Sequence, residues 1–157
     1  MYDVCVVYLV RERAIDGEIV TEVMLGEKLT GLGVGKFVGA GGKLEPGESA
    51  RSAAVREVAE ELGVTVNARN LVGISDITYP FVDKDEWSQR SFGFITRTWA
   101  GTPTASAELA PRWFVLDDIP FDRMWADARL WLPRALAGEF VEETYPFRSD
   151  GSLVDSA

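Results

Sequence analysis

Apolar positions along the chain follow two periodicities. Residues 4–10 (VCVVYLV) form a short, β-branched, unbroken apolar run, which predicts a buried strand rather than a helix. A turn signal at Asp16-Gly17 leads to a second predicted strand over 18–25. Residues 37–40, 64–66, 71–79, 91–99, 112–116 and 140–147 read as further strands, the stretch SFGFITRTW by clear alternation. Asp150-Gly151 is a hairpin signal, so residues 152–155 are expected to return as an edge strand. Two segments have helical spacing instead. Over 48–62, Ala54, Val55, Val58, Ala59 and Leu62 recur at three and four residues and predict one apolar face, stopped by Gly63. Over 126–136, Trp131, Leu132 and Leu136 supply the core face of a second helix ahead of Gly138, with Pro133 expected to kink or shorten it.

Strands interleaved with two helices imply an α/β fold, a mixed β-sheet between helical layers. A chain of 157 residues without repeats or low-complexity segments fits one domain over 1–157. The segment GEKLTGLGVGKF, with Gly26, Gly31, Gly33 and Gly35, predicts a mobile loop or a plain flexible connection. It is no Walker loop, since no Gly-Lys-Ser/Thr follows. Lys28 and Lys36 at its ends would meet phosphate or solvent. Residues 80–87 and 100–107 are read as loops.

Composition narrows the chemistry. Hydrophobic residues at 46% and charged residues at 26% are ordinary for a globular protein. No run of about 18 apolar residues suggests a membrane span, and the N-terminal MYDVCVVYLVRER lacks the pattern of a signal peptide. The single cysteine, Cys5, fits a reducing cytoplasm and a core position rather than a nucleophile. A net charge of −9 disfavours duplex nucleic acid as a partner. A small anionic substrate remains compatible if a metal neutralises it locally. Absence of histidine excludes a Ser-His-Asp triad, a His-ligated zinc and an imidazole base, so a general base would be a carboxylate.

Carboxylates gather on the first helix. At about 100° per residue, Glu57 and Glu61 lie within ~40° of each other and Glu60 about 60° to the other side, an arc expected to point away from the core. Like charges at this spacing cost about 0.2–0.5 kcal/mol per pair, and they sit near the helix C-terminus, where the dipole disfavours anions. A hard divalent cation would remove both penalties. The alternative is a solvated acidic face, which the spacing alone does not exclude.

The whole stretch decides between them. Gly42, Glu48, Arg56, Glu57, Val58, Glu60, Glu61, Gly63 and Val64 match every fixed position of the Nudix hydrolase signature, nine positions over 23 residues. This resemblance implies an α/β/α sandwich and a loop-helix-loop that binds Mg²⁺, with Mn²⁺ as an alternative. It also implies hydrolysis of a nucleoside diphosphate linked to another group. Glu57, Glu60, Glu61 and the Gly41 carbonyl would be metal ligands, with Arg56 orienting Glu57. Beyond the motif, MLGEKLTGLGVGKF, AELAPRWFVLDDIPFDRMWADARLWLP and YPFRSDGSLVD resemble the mammalian-type oxidised purine nucleoside triphosphatase (8-oxo-dGTP diphosphatase) branch. That likeness adds Glu108 as a further metal-associated carboxylate. Lys28 and Lys43 fall on the substrate side, and Trp125 and Asp127 at the base.

Two positions depart from that branch. Val38 stands where it has a base-contacting asparagine, and Ala128 follows Asp127 where it has a second aspartate. Tyr79 is a further pocket candidate, whereas Trp99, Trp113 and Trp131 are assigned to the core. Asp127 could instead be a helix cap. The expected activity is Mg²⁺-dependent cleavage of a nucleoside triphosphate into a monophosphate and pyrophosphate by a cytoplasmic monomer. Another nucleoside diphosphate derivative as substrate, a non-catalytic nucleotide sensor and a structural interaction domain are the competing readings. The intact carboxylate set argues against the sensor.

Overall fold

The computed structural model describes residues 1–155. Its elements are β1 (Tyr2–Ile15), β2 (Glu18–Lys28), β3 (Phe37–Val38), β4 (Ala40–Lys43), α1 (Ala50–Leu62), β5 (Val72–Tyr79), β6 (Gln89–Thr96), β7 (Leu109–Val115), α2 (Ala128–Leu136) and β8 (Val141–Thr144). The strands hydrogen-bond in the order β3-β2-β1-β6-β5-β8, with β4 also on β1 and β7 on β2. The sheet is mixed: β1 runs parallel to β6 and antiparallel to β2 and β4, and β8 is parallel to β5.

β1 organises both cores. Its first part lies between β4 and β6, and its second part continues as a hairpin with β2. Because side chains alternate faces along a strand, Tyr8 and Val10 pack with Val23, Leu25, Trp131 and Leu132 on the α2 side. Cys5, Val7 and Leu9 pack with Met24, Ala54, Val58 and Leu62 on the α1 side. The result is the expected α/β/α arrangement. Truncating a fully buried residue such as Leu62 to alanine costs about 2–5 kcal/mol.

Local chemistry sets the limits of α1. Ser49 caps it, its hydroxyl accepting from the Ser52 amide at 3.1 Å. Gly63 ends it at φ 69° in the left-handed region, its amide reaching the Ala59 carbonyl at 3.0 Å. α2 runs through Pro133 to Leu136, although the ring has no amide to donate within the helix.

Several expectations need correction. The buried residues of α1 are Ala53, Ala54, Val58 and Leu62 together with Glu57 and Glu61, while Ala59 is exposed. Glu57 and Glu61 therefore do not face away from the core: they lie at its edge, where α1 meets β4. Only Glu60 is exposed. Residues 64–66 form no strand but a single bridge, Thr65 to Ala100. The glycine-rich segment is an ordered hairpin end. β2 extends to Lys28, and the Lys28 amide bonds the Lys36 carbonyl at 2.9 Å while the Gly35 amide bonds the Lys28 carbonyl at 2.8 Å. Residues 152–155 make one bridge, Phe147 to Leu153, rather than a strand.

Candidate active site

Two glycines let the carboxylates of α1 approach the sheet. A Cβ on Gly41 would stand 1.9 Å from the Cys5 carbonyl oxygen, and one on Gly42 2.6 Å from Glu57 Oε1. No larger residue fits this corner as built. The Gly41 backbone reaches the Glu61 carboxyl, which also lies against Glu57. Burial, the neighbouring Glu57 charge and Glu108 together push Glu61 up to about 8. Cys5, on the strand beneath, is buried and its thiol is pushed up to about 11 by desolvation, an inert core residue as expected.

Arg56 ties this corner together. Its Nε and Nη2 take both oxygens of Glu48 at 2.9 and 2.8 Å, its Nη1 donates to Glu57 Oε1 at 2.9 Å, and its Nη2 donates to the Lys43 carbonyl at 3.1 Å. The bidentate guanidinium holds the Glu48 carboxyl down to about 2. Glu60 lies 3.4 Å from the same guanidinium, on the exposed side. Among the described residues no three acidic or cysteine side chains converge on a single point. The compact pair is Glu57 and Glu61, with Glu108 on the loop before β7 close enough for its charge to act on Glu61. Two buried carboxyls and a nearby third, all hard oxygen donors, fit a divalent cation.

These carboxylates open into one cavity of about 690 Å³. Tyr2, Lys28, Lys43 and Gln89 line its polar end with Glu57, Glu61 and Glu108. Val38, Tyr79, Phe81, Trp125, Asp127 and Phe147 line its aromatic end. Trp125 is held edge-on by Phe81 (6.2 Å, 90°) and Phe147 (5.4 Å, 86°). Lys36 Nζ lies 5.3 Å from its ring centroid. The glycine-rich hairpin end also packs on this indole: Gly33, at φ 82°, leaves room where a Cβ would stand 2.9 Å from Trp125 Nε1. The backbone thus approaches a side chain of the protein itself.

Asp127 precedes α2 but makes no capping bond. Instead Oδ2 accepts from the Tyr79 hydroxyl at 2.6 Å and from Trp131 Nε1 at 2.7 Å. Burial raises its pKa, and these two donors oppose the rise. Trp131 was expected only in the core; it is buried but also borders the cavity. Trp99 and Trp113 stack on each other at 5.8 Å away from it.

Tyr8, Phe81 and Phe147 are lining residues that sequence reasoning missed. The unbroken apolar run at 4–10 predicted a buried strand, but not that a cavity opens beside Tyr8. The proximity of Phe81 and Phe147 depends on a bridge between segments 66 residues apart.

The sequence matches the model of the NUDIX domain over residues 6–135, and the chain belongs to the Nudix family. It is 41% identical over 133 residues to the oxidized purine nucleoside triphosphate hydrolase of Danio rerio, covering 85% of this chain and 83% of the relative. It is 40% identical to the protein of the same name in Mus musculus, covering 84% and 83%. Among solved structures, a MutT protein from Bacillus halodurans superposes with a TM-score of 0.77 at 22% identity, over 99% of this chain and 95% of that one. Nudix hydrolases use divalent cations and act on small nucleotide substrates, and the chain is a Nudix hydrolase. None of its described helices is long and apolar enough to cross a membrane.

Proposed function

We propose that the protein is a Mg²⁺-dependent nucleoside triphosphate pyrophosphohydrolase acting on oxidised purine nucleotides such as 8-oxo-dGTP, a reaction that clears damaged precursors from the nucleotide pool. One observation carries this reading: a single cavity joins the buried Glu57–Glu61 pair to an aromatic end bearing Trp125 and Asp127. A nucleotide has the same polarity, phosphates at one end and a flat base at the other. The names of the two relatives at about 40% identity support the oxidised-purine substrate.

Glu57, Glu61 and Glu108 would hold the cation, with Glu60 and the Gly41 carbonyl as further candidate ligands. Arg56 fixes the Glu57 carboxylate through its hydrogen bond. A bound divalent cation neutralises phosphate charge and lowers the pKa of water. Water adds across a P–O–P linkage, giving a nucleoside monophosphate and pyrophosphate, and one of the site's glutamates accepts its proton. Lys28 and Lys43 would meet the phosphates, Trp125 would stack on the base and Asp127 would hydrogen-bond to it. Val38 and Ala128 offer that base only apolar contact. One Nudix domain over 1–157 acting as a monomer completes the reading. The lone buried Cys5 fits a cytoplasmic setting.

The test is release of nucleoside monophosphate, resolved by chromatography, from a panel of 8-oxo-dGTP, 2-oxo-dATP, dGTP, dATP, dCTP, ADP-ribose and a sugar nucleotide, with and without Mg²⁺. Mg²⁺-dependent turnover highest on the oxidised purines is expected. Turnover confined to the ADP-ribose or sugar-nucleotide arms would replace the substrate. Binding without turnover would favour the sensor reading.

A further inference from the structure

The hydrogen bonds around Asp127 are asymmetric. Tyr79 on β5 and Trp131 on α2, 52 residues apart in the chain, both donate to Oδ2, at 2.6 and 2.7 Å. No other side chain of the described residues donates to this carboxyl. The next residue, Ala128, brings no second carboxyl. Apart from a contact with the Asp127 amide, the carboxyl has no other donor among the described residues, and Oδ1 is the oxygen without a side-chain partner at the wall of the cavity that Asp127 lines. We infer that Tyr79 is a specificity-determining positioning residue: with Trp131 it pins Oδ2 of Asp127 and so fixes Oδ1 as the single oxygen offered to the base.

The inference rests on the base-reading role proposed above for Asp127. Two donors on Oδ2 occupy its lone pairs, so a proton on this carboxyl belongs on Oδ1. Ionised, Oδ1 accepts; protonated, it donates. Donation from Tyr79 and Trp131 favours the ionised, accepting form against the effect of burial. Two further titratable groups feel this carboxyl: the hydroxyl of Tyr8 on β1, which lines the cavity and whose pKa is raised by burial and the Asp127 charge, and that of Tyr145 after β8, raised by burial and by Glu143 before Asp127. Both hydroxyls are neutral and add no charge beside the carboxyl. An accepting oxygen suits a purine edge that presents N–H. Oxidation at C8 turns N7 of guanine from an acceptor into an N–H donor, so a fixed acceptor can separate the two bases. A carboxyl free to rotate and to take up a proton would serve both. Tyr79 need not touch the base to have this effect. Its ring is already engaged, stacked on Tyr145 at 6.4 Å.

The experiment is a double-mutant cycle. kcat and KM for 8-oxo-dGTP and dGTP are measured for wild type, Tyr79→Phe, Asp127→Asn and the double variant. Tyr79→Phe should lower the 8-oxo-dGTP to dGTP ratio of kcat/KM about tenfold, the scale of one hydrogen bond to a charged group, with more of the loss in KM than in kcat. In the Asp127→Asn background the same change should move that ratio less than about twofold, because coupled residues are not additive. Trp131→Phe, which keeps an aromatic ring of smaller size and removes the donor, should show the same coupling and serves if Tyr79→Phe folds poorly. Additive effects, or an unchanged ratio in Tyr79→Phe beside a changed one in Asp127→Asn, would overturn the role of Tyr79 alone. An Asp127→Asn variant unchanged on every purine would overturn the base-reading role of Asp127 and this inference with it.

Discussion

At the polar end of the cavity, the glycine cradle, Lys43 and the Glu57–Glu61 pair all come from the single segment from Gly41 to Glu61, laid against β1, and Tyr2, Lys28, Gln89 and Glu108 join them from elsewhere. The aromatic end draws Val38, Tyr79, Phe81, Trp125, Asp127 and Phe147 from β3, β5 and the loop after it, the turn before α2 and the tail. The first is fixed by near-neighbour chemistry: a glycine cradle, a capped helix and one guanidinium shared among carboxylates. The second exists only once distant segments have packed. A local motif can therefore be kept whole while the other end varies by single side chains.

Substitution at the polar end should have the largest effect. Glu57→Gln and Glu61→Gln are each expected to lower kcat by at least about a hundredfold, the scale of removing one electrostatic contact to a transition state. Because both carboxyls are buried in a close pair, neither change should cost the fold, and circular dichroism would check this. Near wild-type kcat in either variant at saturating Mg²⁺ would break the assignment of that end.

The aromatic end should respond by substrate. Trp125→Ala should reduce kcat/KM for purines by roughly 10–100-fold, since stacking on an aromatic contributes about 1–3 kcal/mol per base, with a smaller loss on dCTP. Equal losses on all nucleotides would show that Trp125 shapes the whole cavity rather than the base site. In the unaltered protein, apolar contact from Val38 and Ala128 should hold the preference for 8-oxo-dGTP over dGTP below about a thousandfold, between an apolar site's 10–200 and the 10⁴ of a fully hydrogen-bonded one. A larger ratio in steady-state kinetics would mean that the remaining hydrogen bonds suffice.

Stability offers two smaller tests of the polar end. Mg²⁺ at a hundredfold excess over its Kd should stabilise the fold by about 2.7 kcal/mol, a rise in Tm of roughly 5–10 °C. Melts in Mg²⁺ and in chelator that coincide would count against a site at Glu57 and Glu61. Glu48 gives the smallest effect. Its carboxyl is lowered from 4.5 to about 2 by Arg56, so the stability it contributes is present above 4.5 and lost as pH falls towards 2. The difference in Tm between wild type and Glu48→Gln should shrink over that window. A difference independent of pH would show that the ion pair does not hold the loop.

The sequence alone determined most of the strand runs, both helices, the Gly63 stop and the whole carboxylate motif, because each depends on residues within a few turns of one another; the predicted strands at 64–66 and 152–155 became single bridges. It carried Trp125 and Asp127 as pocket residues only through resemblance, and Tyr79 only as a further aromatic candidate. Helical spacing grouped Glu57, Glu60 and Glu61 as one arc. Only the packing of α1 on β4 decided that Glu57 and Glu61 are buried and Glu60 is exposed, since the flank of a helix is defined by what covers it. Asp127 could be read locally as a cap. The tertiary structure gave its carboxyl to Tyr79 and Trp131 instead, because a buried oxygen takes the donors that folding brings to it, 48 residues away in one case and 4 in the other.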